Sequence, residues 1–101
     1  LVLGDMAELG EDAEKLHGEI GDKAKNAGIK ALYATGKLSE NTVSAFGENG
    51  FHFKNKNELI NALNKNLTAD DVVLVKGSRS AAMEEVVERI LTQKNNYKRV
   101  N

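Results

Sequence analysis

Apolar residues fall along this chain in two alternating rhythms. Short runs at residues 1–3, 31–35, 51–53 and 72–75 are continuous or alternating, as strands require. Between them lie longer stretches with apolar positions every three or four residues. The spacing predicts a helix over 11–27, with Ala13, Leu16, Ile20, Ala24 and Ala27 on one stripe. Glu11, Asp12 and Glu14 near its start and Lys23 and Lys25 near its end complement the macrodipole, and Gly28 supplies a stop. Ser39 is placed to cap a short helix carrying Val43 and Phe46, closed by Gly47 or Gly50. Asn55 and Glu58 have capping-box spacing ahead of the stripe Leu59, Ile60, Leu63 and Leu67. Met83, Val86, Val87, Ile90 and Leu91 form the inner face predicted for a last helix. Residues 94–101 read as a polar, fraying tail.

Strand and helix in strict alternation predict an α/β fold with right-handed crossovers. The expected architecture is a Rossmann-like, mostly parallel sheet in the order 3-2-1-4, with one domain over 1–93 and the tail over 94–101. Four apolar residues in a row, Val72 to Val75, predict a strand buried on both faces. In such sheets ligands bind beyond the carboxyl ends of the strands, where the strand order reverses. That point falls between the first and fourth strands. Two loops meet there: Gly4-Asp5-Met6-Ala7-Glu8-Leu9-Gly10 and Lys76-Gly77-Ser78-Arg79-Ser80.

Composition narrows the function classes. The balance of 14 Lys+Arg against 15 Asp+Glu leaves no bulk field for nucleic acid or an anionic membrane. The chain has 0 Cys, which excludes disulfides and thiolate metal sites and fits a reducing compartment. No apolar stretch approaches the roughly 20 residues of a membrane span. The chain opens inside an apolar run with no initiator Met, as a piece of a longer protein would.

The second loop carries the candidate chemistry. A glycine turn entering a helix presents free N–H groups and a positive dipole end, and here two cations and two hydroxyls join it. Lys76 is suited to a carboxylate or phosphate, and equally to solvent. Arg79 offers a planar fork for a carboxylate, with a surface pairing to Glu84 as the plain alternative. Ser78 and Ser80 are candidate caps or ligand contacts, and Gly77 supplies backbone shape. Asp5 either orients a cation or amine, or bonds its own loop. Glu8, Glu11 and Asp12 are assigned to the helix dipole, and His17 and His52, each without a second ligand at metal spacing, to structure or solvent. No metal ligand and no catalytic residue is assigned. Lys-Gly-Ser is not a phosphate-binding P-loop, and no G-x-S-x-G or G-x-G-x-x-G follows a strand.

Leu3-Gly4-Asp5-Met6-Ala7-Glu8-Leu9-Gly10 and Val75-Lys76-Gly77-Ser78-Arg79-Ser80, followed by Met83-Glu84, closely resemble two signatures of the Mur ligases of bacterial cell-wall synthesis. Leu16-His17-Gly18-Glu19-Ile20-Gly21 and Gly36-Lys37-Leu38-Ser39 are also similar to that family's C-terminal domain. The resemblance covers roughly residues 1–93. It implies the C-terminal, substrate-presenting domain of a cytoplasmic ATP-dependent amide ligase in peptidoglycan precursor synthesis. The signatures match the member that adds D-alanyl-D-alanine to UDP-N-acetylmuramoyl-tripeptide through an acyl phosphate. ATP and magnesium would be bound mainly by a central domain, and that domain and an N-terminal one would be this domain's partners, with no nucleic acid or membrane involved.

The resemblance also orders the site residues. The diaminopimelate-adding sibling carries Lys-Gly-His-Glu where this chain has Lys76-Gly77-Ser78-Arg79, and its glutamate faces the added amino acid. Arg79 is therefore the first specificity candidate. A serine of the glutamate-adding sibling aligns near Ser80, and an aspartate beside its pocket matches Asp5. Asp-Asn-Pro-Arg of the diaminopimelate enzyme is replaced by Gly36-Lys37-Leu38-Ser39, which leaves Lys37 as the candidate in that loop. The family's Asn-x-Asn-Pro segment is absent, so this fragment alone is expected to be inactive. The rival readings are a stand-alone regulatory or binding module holding a small anion at the same loop, and a purely structural interaction domain.

Overall fold

Four parallel strands organise the chain in the order β3-β2-β1-β4, as the alternation predicts. The computed structural model describes residues 1–93; the tail over 94–101 lies outside the described residues. The elements are β1 (Val2–Leu3), α1 (Ala13–Asn26), β2 (Leu32–Thr35), α2 (Ser39–Phe46), β3 (Gly50–Phe53), α3 (Lys56–Asn66), β4 (Val75–Lys76) and α4 (Glu84–Gln93). Val2 pairs with Tyr33 on one side and Val75 on the other, and Leu3 with Ala34 and Lys76.

The period of two along each strand divides the core into two layers. Leu3, Leu32 and Ala34 pack with Ala24 of α1 and Phe46 of α2. Val2 faces the opposite side, among Leu59, Ile60 and Leu63 of α3, Met83, and Val86 and Ile90 of α4. The connection from β3 to β4 thus crosses to the other face, which places the topological switch between β1 and β4.

Helix ends follow local chemistry. Gly28 (φ 82°) and Gly47 (φ 80°) close α1 and α2 in a conformation that L side chains rarely adopt. Asn55 Oδ1 accepts from the Glu58 N–H at 2.9 Å and caps α3. Glu58 reaches back one residue further than a capping box requires, to the Lys54 N–H at 3.3 Å.

Three expectations are corrected. First, α1 starts at Ala13 and not at residue 11: a 3₁₀ turn over Ala7–Asp12 precedes it, broken at Gly10 (φ 73°, ψ −148°). Second, the fourth strand is not buried on both faces. Only Val75–Lys76 is strand, and Val72 is 87% and Leu74 52% exposed. β4 ends the sheet with β1 as its one neighbour among the described residues, and alternation turns Leu74 to the α1/α2 side, away from the core that Val73 and Val75 join. Third, loop 76–80 does not run straight into a helix. A 3₁₀ turn, Arg79–Ala81, and then Ala82 in the left-handed region (φ 50°, ψ 48°) intervene before α4. The dipole of α4 therefore begins past the loop that was expected to exploit it.

Candidate functional site

At the carboxyl ends of β1, β2 and β4, three loops are tied to one residue. Asp5 leaves β1 with its carboxylate turned toward the start of α2. Its Oδ1 accepts from the Ser39 N–H at 2.9 Å and the Ser39 hydroxyl at 2.8 Å, and its Oδ2 accepts from the Leu38 N–H at 3.1 Å. Those are orphan donors at a helix start, where a carboxylate is also favoured by the dipole. Ser39, predicted as a cap, is instead the capped residue. Gly36 (φ 110°) belongs to the same arrangement, because a Cβ there would clash with the Asp5 carboxylate.

The other side of Asp5 faces the β4 loop. Its carbonyl oxygen accepts from the Ser78 N–H at 3.1 Å and the Ser78 hydroxyl at 2.9 Å. With that proton committed, the 2.9 Å contact between the Ser78 and Ser80 hydroxyls has Ser80 as donor. Ser78 is thus a latch between the two switch-point loops. Ser80 must turn its hydroxyl away from Ser78 before it can donate to a ligand.

Close approach explains the glycines of both signatures. A Cβ at Gly4 would lie 2.6 Å from Met83 Sδ and 2.9 Å from Ala81 Cβ, and one at Gly77 2.7 Å from Met83 Cγ. Neither has a positive φ, so space and not backbone freedom requires them. Gly77 therefore does more than shape a turn: it lets Met83 pack against the loop.

His17 supports the site from below. It is fully buried on α1; its Nδ1–H donates to the Ala13 carbonyl at 2.6 Å, and its Nε2 accepts from the Met6 N–H at 3.0 Å. A carbonyl can only accept, so the pair of contacts fixes the neutral Nδ1–H tautomer. His17 is structural, as expected, and what it does is hold the backbone of the β1 loop in place. His52 is exposed, and its Nε2–H donates to the Gly36 carbonyl at 2.7 Å.

Beside these loops lies a cavity of about 530 Å³, within the range of small-ligand sites. Its apolar walls are Met6, Val75, Met83 and Val87, and its charged groups are Lys76, Arg79 and Glu84. Lys76, Arg79 and Ser78, predicted from the sequence, are brought together here. Asp5 stands behind the wall with its carboxylate engaged. Ser80 and Lys37 do not line the cavity; both are exposed. Met6, Val87 and Glu84 also line the cavity, though the sequence predicts none of them there. The available signal was the four-residue spacing of Met83 and Val87 beside a charged Glu84 on the same turn.

At the start of α4 the two acids differ. Glu85 pairs with Lys56 at 2.8 Å, and that contact holds its carboxyl below the ordinary glutamate value. Lys56 also donates to the Ala82 carbonyl at 3.4 Å. The Glu84 side chain makes no ion pair or hydrogen bond among the described residues.

In doubly wound parallel α/β sheets ligands bind at the switch point, which is where this cavity lies. Comparison with known proteins narrows the class. The family described as "Mur ligase, glutamate ligase domain" matches residues 1–79. The chain is 48% identical over 94 residues to the UDP-N-acetylmuramoyl-tripeptide–D-alanyl-D-alanine ligase of Escherichia coli K12, covering 89% of this chain and 20% of that protein. It is 33% identical over 96 residues to the ligase of the same name from Bacillus subtilis 168, covering 90% and 21%. A crystal structure of MurF from Acinetobacter baumannii shares the fold, with a TM-score of 0.78 at 21% identity over 90% of this chain and 21% of that one. The chain belongs to the Mur ligase family, and it spans about one fifth of the length of the relatives it matches. No helix among the described residues is long and apolar enough to cross a membrane.

Proposed function

We propose that this chain is the C-terminal, substrate-presenting domain of a cytoplasmic ligase that joins D-alanyl-D-alanine to UDP-N-acetylmuramoyl-tripeptide. The observation that carries the reading is the switch-point cavity, with Lys76 and Arg79 set against an apolar wall. The dipeptide has one carboxylate and two methyl groups. A guanidinium and an ammonium suit the former, and Met6, Val75, Met83 and Val87 the latter. Arg79 and Lys76 hold the carboxylate, while Asp5 and Ser78 act as positioning residues that keep the loops in register. Ser80 and Lys37, outside the lining, take secondary roles that require the remaining domains to approach.

This chain's part is to bind and orient the dipeptide; it does not activate the tripeptide. The described residues bring no group of three potential metal ligands together, and no P-loop is encoded. In this proposal ATP and magnesium are bound mainly by the rest of the ligase, as is the UDP moiety. The isolated chain is inactive in ligation.

In the full-length ligase, Arg79→Ala should raise the dipeptide KM by about tenfold or more, since a hydrogen bond to a charged group is worth roughly 1.5–3 kcal/mol. The KM for ATP should stay unchanged. Steady-state kinetics with each substrate varied in turn checks this, and an unaltered dipeptide KM would defeat the assignment.

A further inference from the structure

Lys76 and Arg79 account for one end of a dipeptide and leave the other end without a partner. Among the described residues, the cavity they line contains one carboxylate, that of Glu84, in the first turn of α4. Its neighbour Glu85 is engaged by Lys56 at 2.8 Å and approached by Arg89 at 4.0 Å. Glu84 is not: among the described residues no ion pair joins it to Arg79, to Lys76 or to any other cation. A helix start with two acids thus anchors itself with one and turns the other to the cavity. The same cavity takes its apolar surface from Met6, Val75, Met83 and Val87.

We infer that Glu84 holds the ammonium group of the incoming dipeptide, so that the dipeptide lies with its carboxylate at Lys76 and Arg79 and its amine at the first turn of α4. The inference rests on the function proposed above and adds the direction of binding. An extended dipeptide spans about 7 Å, a length that a cavity of about 530 Å³ accommodates. Opposite charges in one cavity with apolar walls select a short zwitterion. They disfavour a peptide whose amine is blocked, because Glu84 would then be desolvated without a partner. The arrangement makes Glu84 a specificity residue for the free amine and gives the nucleophile a fixed place at the edge of the domain.

The test uses the full-length ligase with Glu84→Gln, a substitution at an exposed side chain that forms no hydrogen bond. Two ligands are compared: D-alanyl-D-alanine as substrate, and D-lactoyl-D-alanine, with a hydroxyl in place of the amine, as a competitive inhibitor. The dipeptide KM should rise about fivefold or more, the difference between a charged and a neutral hydrogen bond. The inhibition constant of the hydroxyl analogue should stay within about twofold of the unsubstituted enzyme, because only the ammonium carries the charge that Glu84 reads. Glu84→Asp, which keeps the charge on a shorter arm, should recover part of the loss. An unchanged dipeptide KM, or an equal weakening of both ligands, would overturn the inference. Arg79→Ala separates the two levels. If it weakens the dipeptide and Glu84→Gln does not, the direction of binding is wrong and the site stands; if it has no effect either, the site itself is wrong.

Discussion

The two layers that flank the sheet are built to different tolerances. In the α1/α2 layer, helix meets helix at the level of backbone. A Cβ at Gly21 would clash with the Thr42 carbonyl oxygen and stand 3.1 Å from the Phe46 nitrogen. The Thr42 hydroxyl donates to the His17 carbonyl at 2.7 Å across the same contact. In the α4 region beside β4, the close neighbour of Gly4 and Gly77 is the thioether chain of Met83, which can move. Here β4 is short and a cavity opens. Rigidity and access are thus divided between the layers. The first fixes the loops through His17 and α2, and the second leaves room for a ligand against the same loops.

Asp5 joins the two, so its loss should have the largest effect. Asp5→Ala removes the acceptor of two backbone N–H groups and one hydroxyl at the start of α2. The expected loss is about 3 kcal/mol, less than three separate charged hydrogen bonds would sum to, because the donors share one carboxylate. Asp5→Asn retains an acceptor oxygen and should lose roughly half as much. Denaturant melts of the chain measure both. If Asp5→Ala were neutral in stability while raising the dipeptide KM of the full ligase, Asp5 would be a ligand contact and not a joint between the layers.

A paired substitution tests the tolerances directly. Gly21→Ala gains about 1 kcal/mol of helix propensity but must displace backbone, at a cost of about 3 kcal/mol, for a net loss of about 2. Gly77→Ala meets a side chain that can rotate away, and should cost about 1 kcal/mol or less. Equal losses in denaturant melts would erase the distinction between the layers. In the full ligase, Gly77→Ala should raise the dipeptide KM by pushing Met83 into the cavity, whereas Gly21→Ala should leave it unchanged.

Much of the fold was legible because its signals are local and periodic. The alternation of runs, the stops at Gly28 and Gly47 and the cap at Asn55 each follow from a few adjacent residues. The topology then located the switch point, and Lys76 and Arg79 do share a cavity there. What stayed hidden depends on partners distant in sequence. Nothing near Asp5 shows that its carboxylate reaches Ser39, 34 positions away, or that Ser78 returns to its carbonyl across 73. The run Val72 to Val75 has the composition of a central strand, but burial depends on what lies beside it, and among the described residues β4 is an edge. The start of the last helix was misjudged because Ala82 is a strong helix former held in a left-handed turn by its surroundings.

That residue supplies the smallest and most discriminating test. A left-handed conformation costs an L residue about 1–2 kcal/mol, and glycine occupies it freely. Glycine also gives the unfolded chain more freedom, which offsets about 0.4–1 kcal/mol. Ala82→Gly should therefore stabilise the chain by about 0.5 kcal/mol, the reverse of the usual sign for an alanine at a helix start. The turn is held from outside: Lys56 donates to the Ala82 carbonyl and pairs with Glu85 one turn on. Glu85 has its carboxyl lowered by that pair, so the contribution of the pair is present above the unfolded value and fades as pH falls through the folded one. Melting Ala82→Gly at neutral pH and again below the glutamate range separates the two effects. The gain from glycine should persist at both pH values, since backbone strain does not titrate. A gain that vanished in acid would mean that the ion pair, and not the conformation of Ala82, sets the energy of the turn that aims Glu84.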